Sequence, residues 1–115
     1  MQRDPRAYLN DILEAGAAIR EAVSRQDEST YGTNRLIRSA VEREFTIIGE
    51  ALNVIAKRAP EVFAAIPEAR QIIDFRNLLT HEYIKVSDRM VWGAIQTDLP
   101  KLMAHCRTLI TELGS

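Results

Sequence analysis

The chain has 115 residues, of which 46% are hydrophobic and 27% charged, a balance typical of one folded domain and not of a disordered tail. The net charge is −1, so no overall positive field attracts a polyanion, and any contact with RNA must be local. Cys106 is the only cysteine, which excludes an intramolecular disulfide, and no stretch has the length and apolarity of a membrane anchor. We therefore expect a cytoplasmic protein with one domain over 1–115.

The N-terminal part of the sequence predicts a long helix followed by a loop. Asp4 directly before Pro5 is typical of a helix N-cap with proline at the first helical position, and apolar residues then recur at helical spacing. The segment 26–34 contains Asp, Ser, Thr, Gly and Asn with few apolar residues, a composition typical of loops. A first helix is expected over about 5–25, with a loop over 26–34.

The segment 35–58 predicts a central helix with a wide apolar surface. Two adjacent stripes at helical spacing consist of Ile37, Val41, Phe45, Ile48, Leu52 and Ile55, and of Leu36, Ala40, Ile47, Ala51 and Val54. Together they cover about half of the helix circumference, which is wider than one packing partner needs. Gly49 costs roughly 1 kcal/mol relative to Ala inside a helix, and either close approach by another helix or simple tolerance explains it.

The remainder of the chain predicts one short helical turn and two further helices. Pro60 ends the central helix, and the apolar patch after it is long enough for one turn. A helix is expected from near Glu68 until the pattern fades before Val86. Asp88 is expected to cap a last helix, with a kink at Pro100. Its apolar stripe consists of Trp92, Ile95, Leu99, Leu102, Cys106, Leu109 and Leu113. The predicted fold is all-α: an up-and-down bundle of four main helices plus one short helix.

Several classes of chemistry have no support in the sequence. There is no CxxC or HExxH motif, and the scattered glycines form no loop that could cradle a phosphate. No strained turn of the kind that presents a catalytic serine is recognisable. Zinc chemistry, nucleotide binding by a glycine-rich loop and acyl transfer are therefore disfavoured, and we expect no metal and no cofactor.

The segment 76–83 concentrates the side chains that could carry a reaction. It contains a guanidinium, an amide, a hydroxyl, an imidazole and a phenol, from Arg76, Asn77, Thr80, His81 and Tyr83. Asn77 and His81 are one helical turn apart and share a face, so the amide can orient the imidazole. Arg76 lies about 140° around an ideal helix from His81. Only the long arginine side chain, or a helix end near Thr80, could therefore bring both groups to one phosphate.

These groups suit cleavage of RNA by its own 2′-hydroxyl. His81 can move the protons near neutral pH, and Arg76 can stabilise the charge that develops at phosphorus. One histidine cannot act as base and acid in the same step. A symmetric homodimer that brings His81 from both subunits to a shared cleft would supply both groups.

Three separated blocks resemble HepT-like HEPN proteins. The run RNLLTHEY at 76–83 resembles the family signature RxxxxHxY, and REFTIIGEA at 43–51 resembles the central helix of the family. Val91-Trp92 with Leu99-Pro100 resembles its last helix. The resemblance extends from about residue 6 to residue 109, with the three blocks in the expected order.

The resemblance implies a function and a regulation. Members are described as helical homodimers that act as metal-independent ribonuclease toxins, each paired with a minimal nucleotidyltransferase antitoxin. Arg76 and His81 match the catalytic positions of the family, Asn77 the polar position after the arginine, and Tyr83 the tyrosine to which the partner transfers AMP. An AMP group on Tyr83 would place negative charge two residues from His81 and so oppose binding of an RNA phosphate.

Two other functional hypotheses remain open from the sequence. The chain could be a non-catalytic helical subunit that docks a nucleotidyltransferase and only presents Tyr83. It could instead be a structural dimer whose functional surface is the apolar arc of the central helix. An isolated Arg or His on a helix is commonly a surface or helix-end residue, and a tyrosine such as Tyr83 is commonly a half-buried amphipathic ring.

Overall fold

The computed structural model describes residues 3–81 and 86–114, and these residues form helices and no strand. The helices are α1 Pro5–Ala22, α2 Glu28–Thr33, α3 Arg35–Arg58, α4 Pro60–Ala64 and α5 Ala69–His81. A last helix, α6, starts as Asp88–Gly93, continues through a π-helical turn at Ala94–Asp98, and ends as the α-helical segment Leu99–Gly114. The all-α prediction with four long helices is confirmed, and Tyr83 lies outside the described residues.

The central position predicted for α3 is confirmed. It packs against α1, α4 and α5, while α1 also packs against the C-terminal segment of α6. The first predicted stripe of α3 is buried from Val41 to Ile55, with Ile37 half-buried. The second stripe is buried only in part, because the side chain of Leu36 is 83% exposed and Ala40 is also exposed.

The predicted loop over 26–34 was wrong, because residues 28–33 form α2. The side chain of Asp27 accepts a hydrogen bond from the Thr30 amide (2.8 Å), and the Thr30 hydroxyl accepts one from the Asp27 amide (2.9 Å). This reciprocal capping satisfies donors that a helix start leaves unpaired. Tyr31 is almost completely buried and holds this short helix against the core, where its ring lies 5.8 Å from that of Trp92.

The ends of the other helices differ slightly from the prediction. The first helix ends at Ala22 instead of about residue 25. The cap of α6 is Ser87 and not Asp88, since the Ser87 hydroxyl accepts a hydrogen bond from the Met90 amide (3.1 Å). Leu113, predicted to continue the apolar stripe of the last helix, is 42% exposed.

A π-helical turn ends two residues before Pro100, the residue at which the sequence predicts a kink. The amide of Leu99 donates to the carbonyl oxygen of Ala94, five residues earlier. Proline has no amide hydrogen to continue a regular helical ladder, and a π-helical turn is one of the known ways in which a helix absorbs such a break. None of the described helices is both long and apolar enough to cross a lipid bilayer.

Candidate active site on α5

Aromatic packing fixes α5 against α3. The rings of Phe45 and Phe75 meet edge to face, with centroids 5.1 Å apart and planes at 84°. Such pairs contribute roughly 0.5–1.5 kcal/mol beyond the burial of their surface. Ile72 and Leu79 are buried on the same side of α5. The residues between them on the helix, Arg76 and Asn77 included, therefore have a defined position relative to α3.

Gly49 is the point of closest approach between Arg76 and α3. A Cβ atom added to Gly49 would lie 2.6 Å from Cγ of Arg76, 2.9 Å from its Cβ and 3.0 Å from its Cδ. Contacts this short do not occur between real side chains, so only glycine leaves room for the arginine stem at this separation of the helices. Of the two explanations for Gly49 left open by the sequence, the structure supports close approach, and the approaching group is Arg76.

The guanidinium of Arg76 is held from two sides but keeps unused donors. Its Nη1 donates to Oδ1 of Asn77 (3.1 Å), and its Nη2 lies 3.6 Å from Oε1 of Glu50. The Arg76 side chain is only 18% exposed, whereas that of Glu50 is 62% exposed. Because Glu50 is so solvated, this ion pair contributes little. The arginine is therefore positioned without being fully neutralised.

One nitrogen of Arg76 is left without a partner. Its Nε is buried, and among the described residues no group accepts a hydrogen bond from it. A buried donor without an acceptor costs roughly 1–3 kcal/mol. Buried groups without a partner are rare in native structures and are often found where a protein binds a ligand or carries out a reaction. Both roles suit a cation such as Arg76.

Asn77 and His81 share one open surface, as the helical spacing predicts. Together with Asp74 and Leu78 they line a shallow depression of about 430 Å³. His81 is exposed and is the last residue of α5. The amide oxygen of Asn77 accepts a hydrogen bond from Arg76, and the same residue lines the depression that contains His81. Arg76 itself is not among the residues that line this depression.

Thr80 contributes to the helix and not directly to the depression. Its hydroxyl donates to the backbone carbonyl oxygen of Arg76 (3.0 Å), a bond within the same helix that threonine commonly makes. A role of Thr80 in supporting the site thus acts through the backbone of Arg76. Its side chain is otherwise exposed.

Two carboxylates of the site were not predicted from the sequence. Glu50 follows Gly49 and faces Arg76, and Asp74 lies on the same side of α5 as Asn77 and His81. The spacing of Asp74, three residues before Asn77 and seven before His81, was a usable signal for a shared face. The position of Glu50 depends on how α3 crosses α5, which the sequence does not specify.

The second histidine of the chain has a different environment. Nδ1 of His105 lies 2.8 Å from Oε1 of Glu68, whose side chain is 11% exposed. This contact joins the C-terminal segment of α6 to the residue preceding α5. Of the two imidazoles, His81 is the one that lies in the depression beside Asn77.

Comparison with known proteins identifies relatives along most of the chain. The sequence profile of the family described as Ribonuclease HepT-like matches residues 12–109. A protein of Methanocaldococcus jannaschii named as a candidate RNase is 34% identical, with 88% of this chain and 92% of the relative aligned. A protein of Thermococcus cleftensis named as a candidate ribonuclease HepT is 31% identical over 89% of this chain and 92% of its own length.

A third relative aligns with nearly the whole chain. A candidate RNase of Caldanaerobacter subterraneus is 28% identical, with 96% of this chain and 97% of the relative aligned. No solved structure matches the chain. The family profile covers the whole of α3 and α5 and most of α6, including Gly49, Arg76 and His81. The chain belongs to the HepT-like ribonuclease family, a group of HEPN proteins.

Proposed function

We propose that this protein is a metal-independent endoribonuclease toxin, in which Arg76 and His81 cut RNA at a site shared by two subunits. The observation that carries the proposal is the position of Asn77. It accepts a hydrogen bond from Arg76 and lines the same depression as His81. Asn77 thus contacts Arg76 and shares an open surface with His81, although the helix projects Arg76 and His81 about 140° apart.

The proposed reaction uses the 2′-hydroxyl of RNA as the nucleophile. His81 removes the hydroxyl proton as the bond from O2′ to phosphorus forms, and the bond from phosphorus to O5′ breaks. The products are a 2′,3′-cyclic phosphate and a free 5′-hydroxyl. Arg76 stabilises the negative charge on the pentacoordinate phosphorus, where a guanidinium can donate two parallel hydrogen bonds. The Nη atoms support this role, because they are held only by Asn77 and, at 3.6 Å, by the solvated Glu50, which leaves N–H groups for a phosphate.

The departing O5′ also needs a proton, which leads to a homodimer. The first imidazole has just accepted a proton and lies on the side of the nucleophile, so a second acid is needed on the opposite side. His81 from a facing subunit would supply it. The openness of the depression and the exposed end of α5 support this arrangement, because they leave room for a second copy of the same helix.

Cleavage of RNA in the presence of a chelator tests the proposed reaction. The purified protein, in excess EDTA, is expected to cut RNA and to leave 2′,3′-cyclic phosphate ends, because neither Arg76 nor His81 requires a metal for its role. The ends are identified by whether a phosphatase removes the terminal phosphate before and after acid opening of the ring. Loss of cleavage in EDTA that returns with Mg²⁺, or the appearance of 5′-phosphate ends, would contradict the mechanism.

We further propose that a minimal nucleotidyltransferase is the antitoxin and silences the protein by transferring AMP to Tyr83. In that step the phenol oxygen bonds to the α-phosphorus of ATP, and pyrophosphate leaves. The added phosphate would repel an RNA phosphate close to His81. The family membership of the chain supports this regulation.

Radiolabelled ATP tests the modification. With a minimal nucleotidyltransferase of the proposed antitoxin type, the wild-type chain and the Tyr8→Phe control are expected to take up the α-phosphate label, while Tyr83→Phe is not. Labelling should lower RNA cleavage in proportion to the modified fraction. Equal labelling of Tyr83→Phe would place the modification elsewhere.

The non-catalytic alternative keeps one supporting observation. Leu36 on α3 is 83% exposed, and a large apolar side chain in that position is suited to docking a partner. This alternative predicts tight association with the nucleotidyltransferase and no RNA cleavage at any protein concentration. The chelator experiment with unmodified protein separates the two hypotheses.

A further inference from the structure

A second cavity lies on the other side of the end of α5. This cavity, of about 240 Å³, lies between α2, α3 and the start of α6, and is called here the α3 pocket. Its polar lining consists of Tyr31, Arg35, Arg38, Ser39, Glu42 and Asp88. Sites for drug-sized ligands usually measure roughly 300–1,000 Å³. The α3 pocket is therefore suited to one planar ring system with its substituents.

The polar groups of the α3 pocket have hydrogen-bonding capacity that the protein does not use. Tyr31 is 1% exposed, yet in the described part of the chain its hydroxyl makes no hydrogen bond. The same holds for the side chains of Arg35, Ser39 and Glu42 within residues 3–81 and 86–114. The ring of Tyr31 is enclosed by the core, whereas its hydroxyl oxygen opens into the pocket. A ligand that both donates and accepts hydrogen bonds would satisfy these groups.

The charges of the pocket indicate which kind of ligand fits. Two guanidinium groups face two carboxylates, so a bare phosphate would meet as much repulsion as attraction. Arg38 pairs with Asp88 only at 3.7 Å, and both side chains are more than one-third exposed, so this contact holds the arginine weakly. Arg38 and Glu42 are one turn apart on α3 and point to the same side. Together they offer hydrogen-bond donors from Arg38 and a hydrogen-bond acceptor from Glu42 to one edge of a ligand.

Guanine presents the complementary pattern. Its O6 and N7 atoms accept hydrogen bonds from an arginine, and its N1–H and N2–H groups can donate to a carboxylate. Burial raises the pKa of Glu42, because the ionised carboxylate is short of solvent. Two N–H donors from a ligand would replace the lost water. Burial also raises the pKa of Tyr31 and keeps its phenol protonated, so that the hydroxyl can donate.

The α3 pocket and the depression that contains His81 lie on opposite sides of the end of α5. Leu79 lines the pocket and lies two residues before His81, so the two side chains are about 3 Å apart along the helix axis and about 160° apart around it. We propose that the α3 pocket binds a guanine base of the RNA substrate a few nucleotides away from the bond that is cut, with Arg38 and Glu42 forming hydrogen bonds to its edge. This inference rests on the proposed ribonuclease function and adds a sequence preference to it.

Binding can be measured without any cleavage, because Trp92 is the only tryptophan of the chain and its ring contacts that of Tyr31. The fluorescence of Trp92 in the full chain is recorded during titration with GMP, IMP, AMP or inorganic phosphate. GMP is expected to give a saturable change, and IMP, which lacks the 2-amino group, and AMP should bind about 10-fold more weakly. Equal affinities for the three nucleotides, or a matching response to inorganic phosphate, would overturn the proposal.

Matched variants assign the effect to the pocket. Glu42→Gln is expected to remove the preference for GMP over IMP, whereas Glu44→Gln, on the same helix but not lining the pocket, should retain it. Tyr31→Phe removes only the hydroxyl and should weaken GMP binding, which provides a second test if Glu42→Gln fails to fold by circular dichroism. A preference for GMP that survives both Glu42→Gln and Tyr31→Phe would overturn the proposal.

Mapping of the cut bonds separates this inference from the proposed function. Wild-type protein is expected to cut at a fixed spacing from a guanine, and Glu42→Gln to lose that bias while still cutting. Cleavage without any bias would overturn the pocket and leave the ribonuclease intact. GMP binding by a chain that cuts no RNA would refute the ribonuclease and assign the pocket to free guanine nucleotides.

Discussion

The substitution His81→Ala is expected to lower the rate of RNA cleavage by about 10²–10⁴-fold, the usual contribution of a positioned general acid or base. The imidazole is exposed at the end of α5, so its removal should leave the melting temperature nearly unchanged. The rate is measured under single-turnover conditions with a fluorescent RNA. The control is His105→Gln, because that side chain can still donate to Glu68 and lies outside the depression.

Mixed dimers show whether one cut needs His81 from two subunits. Wild-type and His81→Ala chains are unfolded together, refolded in equal amounts and assayed at constant total protein. If both imidazoles act on one phosphate, only dimers of two wild-type chains are active, and about one quarter of the activity remains. A loss of only one half would show that each subunit cuts alone, and wild-type activity in His81→Ala itself would refute the catalytic role.

The substitution Gly49→Ala is expected to damage both folding and cleavage, although it adds only one methyl group. The new Cβ would meet Cγ, Cβ and Cδ of Arg76 at 2.6–3.0 Å, and these atoms lie too near the backbone to move away independently of α5. Overpacking of this kind costs roughly 1–3 kcal/mol of unfolding free energy. A displacement of the guanidinium by about 1 Å can also lower a catalysed rate by about 10²-fold. Urea unfolding and the RNA assay measure the two effects.

Gly93→Ala is the matched control for this prediction. Gly93 also has helical backbone angles, but a Cβ there would meet nothing within 4 Å. Alanine should therefore raise the unfolding free energy by about 0.5–1 kcal/mol and leave cleavage unchanged. If Gly49→Ala behaved in the same way, Arg76 would not depend on its contact with α3.

The elements that could be predicted from the sequence are those with strong local signals. The bounds predicted for α3 agree with the structure because Asn34 caps its start, accepting a hydrogen bond from the Ile37 amide (3.1 Å), and Pro60 follows its end. The helix α2 was missed because its cap residues, Asp27 and Thr30, are also typical loop residues. What stabilises that segment as a helix is the burial of Tyr31 against Trp92, a contact between residues far apart in the chain.

In the candidate site, too, the sequence predicted what depends on local helical spacing and not what depends on the packing of separate helices. The shared face of Asn77 and His81 follows from helical spacing alone, and the structure confirms it. The conformation of Arg76 depends instead on the distance between α3 and α5, which is set by side-chain packing such as that of Phe45 on Phe75. Without that distance, the sequence could not show that Asn77 and Glu50 share the guanidinium.

The π-helical turn in α6 changes the direction in which the rest of that helix faces. Its wider hydrogen-bonded ring accommodates one residue more than a regular turn, so every side chain after it is rotated by about 100° relative to an uninterrupted helix. Before the turn, α6 contacts α2, and after it, α6 contacts α1. A single helix can thus pack against two partners on different sides. A regular α-helix through 94–98 with no residue removed would turn Leu102 and Cys106 out of the core, whereas deletion of one residue there would restore a regular turn and keep both side chains buried.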